Sequence, residues 1–94
     1  MTKYTVKFTN AFKKSRKLMK KRGENLALLD DVIRMLADGL PLDAKYHDHG
    51  LTGDYKGFRE CHIKPDWLLI YLVEKDILTL TMVETGTHSD LLRM

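Results

Sequence analysis

The sequence predicts an α+β fold in the order β-α-α-β-β-β, with a helical hairpin packed on one face of a mainly antiparallel, twisted sheet. Two observations lead to this prediction. The first 40 residues contain an alternating segment and then two segments with helical spacing, whereas three runs rich in strand-forming residues follow from about residue 57. With 94 residues, the chain can bury one modest core and is too short for a second. We therefore expect a single domain over residues 1–94.

The N-terminal segment predicts a strand followed by a strongly basic helix. Residues 4–8 alternate between apolar and polar side chains, as in a half-buried strand. Thr9 or Asn10 can cap a helix that runs to about Arg22, where Gly23 ends it. Nine of the 16 Lys and Arg residues lie at or before Arg22, and no Asp or Glu does. This block of charge favours a polyanion or an acidic protein as partner, unless it is only the solvated face of the helix.

A second helix is predicted after a short link. Asp38-Gly39 and Pro41 mark its end. Apolar residues recur within it at helical spacing: Leu26, Leu29, Val32, Ile33, Leu36 and Leu40. Two helices joined by so short a link should form an antiparallel hairpin that packs one face on the sheet.

The second half of the chain predicts a loop and a three-stranded meander. Residues 41–56 are expected to form a loop, and a loop this long in a small domain is more often functional than idle. Three strands are predicted, at about residues 57–63, 67–74 and 77–84. Residues 74–76 form the hairpin turn, and the run before them lacks alternation, as in a central strand covered on both faces. Residues 85–88 should form a turn, and residues 89–94 a single helical turn.

Composition excludes several classes of protein. The single cysteine, Cys61, cannot form an internal disulfide, which favours a reducing compartment. The longest apolar run, residues 67–73, is far shorter than the roughly 20 residues of a membrane helix. The N-terminus has no apolar segment of the kind found in signal peptides. We expect a cytoplasmic protein without membrane contact.

The histidines are the main candidates for chemistry. The chain has four histidines, and they come from three segments. His47 and His49 lie in the predicted loop, His62 near the end of a predicted strand, and His88 in the predicted C-terminal turn. Imidazoles titrate near neutral pH, so two of them can act as base and acid in one reaction. Cleaving RNA without a metal requires a base for the 2′-hydroxyl, an acid for the departing 5′-oxygen and cations for the phosphorane. The candidates for those cations are Lys56, Arg59 and Lys64.

Each of these residues also has a structural interpretation. His47 is expected to be a solvated loop residue, and His62 can be a hydrogen-bonded strand residue. The corner at residues 64–66 brings Asp66 near His62, but it is also an ordinary turn, and Trp67 is predicted to be core. A metal site formed by the histidines and the cysteine is a further alternative, although no paired-cysteine or H-E-x-x-H motif supports it. Spacing alone leaves these alternatives open.

Several short motifs occur together after about residue 40. They are Asp48-His49-x-Leu51-x-Gly53, Gly57-x-Arg59-x-x-His62-x-x-Pro65-Asp66-Trp67 and Gly86-Thr87-His88. This combination resembles YafQ-type toxins of the RelE/ParE superfamily of bacterial toxin–antitoxin systems. The resemblance implies a RelE/ParE-like fold and an mRNA interferase, an endoribonuclease that cuts messenger RNA in the A site of a translating ribosome. It implies acid/base chemistry without a metal or other cofactor.

The resemblance also implies the catalytic residues, which are His49, His62, Asp66 and His88. His49 or Asp66 would take the 2′-hydroxyl proton. His88 would act as the acid, and His62 would bind the scissile phosphate or share in the proton transfer. The family pattern often has a phenylalanine where this chain has Leu92, which can pack against an RNA base but cannot stack on it. Asp90 is expected to add negative charge close to the RNA.

Partners follow from the same resemblance. An acidic antitoxin segment would wrap the toxin, and the two proteins together would bind operator DNA. Ribosomal RNA is the other candidate partner for the basic first helix. The residues predicted to make one or both contacts are Lys13, Lys14, Lys17 and Lys20. The nearest alternative functions are a ParE-like gyrase inhibitor, which lacks the histidine set, and a non-catalytic RNA- or antitoxin-binding module.

Overall fold

Five strands and three α-helices form the part of the chain described by the computed structural model, residues 2–51 and 57–91. The strands are β1 (Thr5–Phe8), β2 (His49–Gly50), β3 (Phe58–Lys64), β4 (Trp67–Glu74) and β5 (Thr79–Gly86). The helices are α1 (Asn10–Lys21), α2 (Leu26–Ala37) and α3 (His88–Leu91), with a 3₁₀ helix at Ala44–Tyr46. The predicted α+β class is confirmed.

The strands form one mixed sheet in the order β1-β5-β4-β3-β2 within the described residues. β3, β4 and β5 form the predicted antiparallel meander, and β2 adds to its edge in antiparallel register. β1 pairs in parallel with β5, so the first strand lies beside the last. A tight turn cannot join a parallel pair, and here residues 9–78, which include both long helices and the other three described strands, lie between β1 and β5 in the sequence.

The helical hairpin covers one face of the sheet, as predicted. The Thr9 hydroxyl oxygen accepts the backbone N–H of Phe12 at 3.0 Å and donates to the carbonyl of Val83 at 2.6 Å. This cap therefore starts α1 and also attaches it to β5. Gly23 follows the helix with φ of +86°, a left-handed conformation that favours glycine.

The two faces of the sheet have different roles. Cys61, Leu69 and Tyr71 are buried with the helices in the main core. Because side chains alternate along a strand, His62 and its cross-strand neighbour Leu68 lie on the opposite face. Part of that face is covered by Leu91 of α3, which packs with Leu68 and is 5% exposed. The remaining open part lies where β3 and β5 end and β4 begins.

Three boundaries differ from the predictions. The predicted loop at residues 41–56 contains the 3₁₀ helix and β2. β5 begins at Thr79 rather than Ile77, because the preceding turn extends through Leu78, which has φ of +49°. β5 also extends to Gly86, so the predicted turn at residues 85–88 is shorter and α3 begins at His88. The predicted site residues Lys56 and Leu92 lie outside the described residues.

Among the described helices, none combines the length and the apolar character needed to cross a bilayer.

Candidate active site

Three of the predicted histidines meet on the open face of the sheet. His49 comes from β2, His62 from β3 and His88 from the first position of α3. The ring centroid of His62 lies 6.4 Å from that of His49 and 5.6 Å from that of His88. His62 is therefore the middle member of the group, and His49 and His88 lie on either side of it.

His88 is held by the carboxylate of Asp66, which lies in the turn between β3 and β4. The same Asp66 oxygen, Oδ1, accepts the backbone N–H of His88 at 3.0 Å and contacts its ring Nδ1 at 2.6 Å. The backbone bond first, and then the ring bond, holds the pKa of Asp66 below its usual range. Because this carboxylate is ionised at neutral pH, it accepts, and Nδ1 of His88 carries the hydrogen. Nε2 is then the ring atom left for chemistry.

His49 is oriented by a backbone carbonyl. Its Nδ1 lies 2.7 Å from the carbonyl oxygen of His47. A carbonyl can only accept, so Nδ1 is the donor and the neutral ring keeps a free electron pair on Nε2. Nε2 lies 3.5 Å from Oε1 of Glu60, whose side chain is only 17% exposed. A proton gained at Nε2 would therefore face a negative charge.

Two residues beside this cluster differ from the predictions: Glu60 was not named as a candidate, and His47 was expected only as a solvated loop residue. His47 is exposed, as expected of a loop residue, but its ring packs edge-on against His62 with centroids 5.5 Å apart. It reaches that position because its φ is +48°, a left-handed conformation that the sequence does not signal for histidine. Glu60 was detectable, because it lies two residues before His62 on the same face of a predicted strand.

Asp48 anchors the loop that carries the two histidines on either side of it. Its carboxylate accepts bonds from Nε and Nη2 of Arg59, at 3.4 and 3.2 Å, and from the hydroxyl of Tyr71. Burial, and then this contact with Asp48, raises the pKa of Tyr71. Asp48 points away from the open face because it alternates with His49.

Of the predicted phosphate-binding residues, Arg59 and Lys64 lie in the described part of the chain, and each forms an ion pair with a carboxylate. Arg59 pairs with Tyr71 across β3 and β4, on the face opposite His62, and its guanidinium binds Asp48. Lys64 lies at the end of β3, where its ammonium contacts Glu24 at 2.9 Å. Phosphate binding by either residue remains a prediction.

A groove of about 650 Å³ lies beside His62. α2 and the 3₁₀ helix form its two sides, and the end of β3 lines it between them. Its largely apolar lining includes Leu28, Tyr46 and Ile63, with Lys64 at its edge. The histidine cluster therefore has an open groove next to it, and regular secondary structure forms the walls of that groove.

Trp67 and Cys61 are structural. Trp67 has no exposed surface, and its ring N–H donates to the Thr85 hydroxyl at 2.9 Å. Cys61 is buried in the core, away from His62, and burial raises the pKa of its thiol to about 12. Across residues 2–51 and 57–91, no group of three or more His, Cys, Asp or Glu side chains is arranged to hold a metal ion.

The basic face of α1 lies apart from these contacts. The four lysines predicted to contact a partner are all exposed: Lys13, Lys14, Lys17 and Lys20. The helix buries Phe12 and Met19 on its other side. Contact of the four lysines with a partner stays a prediction.

Comparison with known proteins identifies the family. The model described as the bacterial toxin of type II toxin–antitoxin systems, YafQ, matches residues 4–93. The mRNA interferase toxin YafQ of Escherichia coli K12 is 36% identical over 92 residues, which are 97% of this chain and 98% of that protein.

Solved structures agree with this match. YafQ in the E. coli DinJ–YafQ toxin–antitoxin complex has 36% identity and a TM-score of 0.87, over 95% of this chain and 97% of that one. A metal-bound toxin from Helicobacter pylori has 45% identity and a TM-score of 0.87, over 97% and 99% of the two chains. The chain belongs to the YafQ family of bacterial type II toxins.

Proposed function

We propose that this toxin is a ribosome-dependent mRNA interferase that cleaves RNA by acid/base chemistry on its open sheet face. The observation that carries the proposal is the arrangement of three imidazoles, with His62 between two others whose Nδ1 atoms are already occupied. His49 then presents Nε2 as a base, and His88 presents Nε2 as an acid. The E. coli relative named as an mRNA interferase supports the same substrate.

The reaction follows from these two ring atoms. Nε2 of His49 takes the proton of the ribose 2′-hydroxyl, and the 2′-oxygen attacks the adjacent phosphorus. The bond from phosphorus to the 5′-oxygen breaks, and that oxygen takes a proton from Nε2 of His88. Glu60 stabilises the imidazolium formed at His49, while Asp66 stabilises the imidazolium of His88 before it gives up its proton. His62, between the two rings, contributes a hydrogen bond or positive charge to the phosphorane.

Asp66 has a more specific role in this scheme than the sequence suggested. Its Oδ1 is engaged by two donors from His88, and its pKa is lowered, both of which make it a poor proton acceptor. These contacts favour His49 as the base and Asp66 as the residue that orients His88. The pairing resembles the carboxylate–histidine arrangement that fixes a tautomer in other acid/base enzymes.

Four of the exposed lysines of α1, Lys13, Lys14, Lys17 and Lys20, are the proposed contact surface for macromolecules. Ribosomal RNA and an acidic antitoxin both match its charge, so binding of one would block the other. The E. coli relative forms a complex with the antitoxin DinJ, which supports an antitoxin partner here. Operator DNA would be bound only by that complex, and the toxin would act in the cytoplasm. Reversing the charge of Lys13, Lys14, Lys17 and Lys20 should weaken ribosome binding and its salt dependence, and unchanged binding at low salt would contradict this.

The proposed function is tested by measuring cleavage of an mRNA bound to purified ribosomes. His88→Gln should lower the single-turnover rate by about 10² to 10⁴-fold, the usual contribution of a general acid or base. His49→Gln should have an effect of similar size. The thermal unfolding of both variants should stay close to that of the unsubstituted protein, because both side chains are exposed.

His47→Gln is the matched control. It removes an imidazole from the same cluster but keeps the backbone carbonyl that orients His49, so it should retain most of the rate. A transition-metal chelator that leaves the ribosome its Mg²⁺ should not slow cleavage. Full activity of His88→Gln would overturn the acid role, and loss of activity in the chelator would favour a metal-dependent mechanism.

A further inference from the structure

Arg22 differs from the other basic residues of the N-terminal block. It follows α1 as the C-capping residue, and its guanidinium reaches the far end of the chain. Nη1 lies 2.6 Å from Oδ2 of Asp90 and Nη2 lies 3.2 Å from Oδ1, a two-pronged pairing of guanidinium and carboxylate. Asp90, which was expected to add negative charge close to the RNA, is thus paired with the positive charge of Arg22.

Asp90 has a second function in the short helix that carries His88. Its Oδ2 accepts the backbone N–H of Thr87 at 2.9 Å, and the Thr87 hydroxyl oxygen accepts the backbone N–H of Asp90 at 3.2 Å. This reciprocal pair is a capping box around His88, the residue that follows Thr87. A four-residue helix cannot maintain itself in water, so its position depends on such contacts.

Gly86 allows α3 to fold back this closely on the end of β5. A Cβ atom at residue 86 would lie 2.9 Å from Oδ2 and 3.0 Å from Cβ of Asp90. The glycine of the Gly86-Thr87-His88 motif therefore has a steric reason. On its other side α3 is attached by Leu91, which is buried against Leu68 and Ile70.

We propose that the Arg22–Asp90 pair is the positioning device of His88, fixing α3 so that the His88 ring meets Asp66 and directs Nε2 at the leaving oxygen. Arg22 is then a positioning residue for the acid step, distinct from the lysines of α1 that contact RNA or antitoxin. The inference rests on the proposed function, because it assumes that His88 protonates the departing 5′-oxygen.

The test compares Arg22→Gln with Lys21→Gln, which removes one positive charge from the adjacent, exposed residue. Single-turnover cleavage of ribosome-bound mRNA is measured over a range of toxin concentrations. Arg22→Gln should lower the rate at saturation by about 10-fold to 100-fold, the cost of misplacing a catalytic group, without changing the half-saturating concentration. Lys21→Gln should leave the rate at saturation unchanged. Adding Asp90→Asn to Arg22→Gln should cost little more, because the ion pair is already broken and the asparagine oxygen can still accept the Thr87 N–H.

A second substrate isolates the acid step. In an mRNA with sulfur replacing the 5′-oxygen of the scissile bond, the thiolate leaves without being protonated, so Arg22→Gln should cleave it nearly as fast as the unsubstituted protein does. Three results for Arg22→Gln would each overturn the inference. They are an equal loss of rate on both substrates, a full rate on the oxygen substrate, and a change in the half-saturating concentration alone. If Arg22→Gln is unstable in thermal unfolding, Arg22→Lys, which keeps the charge but not the two-pronged geometry, should show the same dependence on substrate. Absence of cleavage by the unsubstituted protein would instead overturn the proposed function, and this inference with it.

Discussion

The two segments that deliver His49 and His88 are anchored in different ways. The loop before β2 is fixed from behind the sheet, where Asp48 binds Arg59 and the buried Tyr71. The tail is fixed by the carboxylates of Asp66 and Asp90, which lie on either side of His88. Each anchor contains an arginine–carboxylate pair of similar exposure, but only the loop anchor also engages a buried hydroxyl, that of Tyr71. We therefore expect the loop anchor to determine mainly folding stability, and the tail anchor to determine mainly the reaction and its response to acid.

The largest expected effect on folding comes from Asp48→Ala. The substitution leaves the Tyr71 hydroxyl buried without its acceptor and removes the carboxylate partner of Arg59. Leaving the buried Tyr71 hydroxyl unpaired, together with loss of the partly exposed ion pair, should lower the free energy of unfolding by about 2 kcal/mol. Urea denaturation followed by circular dichroism measures this change. Asp76→Ala, in an exposed turn, is the control and should have little effect; equal stability of the two variants would contradict the proposed anchor.

A substitution on the tail side should affect rate rather than folding. Asp66→Asn removes the charge that stabilises the His88 imidazolium and allows the wrong tautomer, so cleavage should slow by about 10-fold to 100-fold. The thermal unfolding midpoint should barely move, because the Asp66 side chain is 69% exposed. Cleavage and unfolding measured on the same preparation separate the two effects. If Asp66→Asn were destabilised but cleaved at full rate, Asp66 would be needed for folding and not for the reaction, which would contradict the expected role of the tail anchor.

Much of the fold could be predicted because its signals are local. The cap at Thr9, the stop at Gly23 and the continuous apolar run of β4 each lie within a few residues of the structure they specify. The two-residue strand β2 could not be predicted in this way, because only its pairing with Arg59 and Glu60 makes it a strand.

The site was predictable only where its residues are close in sequence or belong to the recognised motifs. His62 and Asp66 are neighbours in the chain, and the motif added His49 and His88. The pairing of Arg22 with Asp90, 68 residues later, had no sequence signal, because Arg22 is one arginine in a basic block. Arg59 was expected to bind phosphate. Its side chain instead pairs with Asp48, because it lies on the face of β3 opposite His62.

The tail anchor should also respond to acid. The bond from Arg22, followed by the backbone bond from Thr87, holds the pKa of Asp90 well below its usual range. A carboxyl whose pKa is lower in the folded state contributes stability that is fully present above its unfolded pKa, about 3.9, and that is lost as pH falls toward the folded value. The unsubstituted protein should therefore unfold at a higher temperature than Asp90→Asn at pH 7, and the difference should shrink below about pH 4. A difference that stays constant down to pH 2 would contradict this.

The smallest effect tests how the loop anchor divides between its two donors. Tyr71→Phe removes one hydroxyl and leaves Asp48 bound to Arg59, so no charge loses its partner. The loss should be about 1 kcal/mol of unfolding free energy, the usual value of one hydrogen bond. Because Arg59 still holds Asp48, His49 should stay in place and cleavage should keep most of its rate. A loss as large as that of Asp48→Ala would mean that Tyr71, rather than the ion pair, fixes the loop, and a large fall in rate would mean that His49 depends on it.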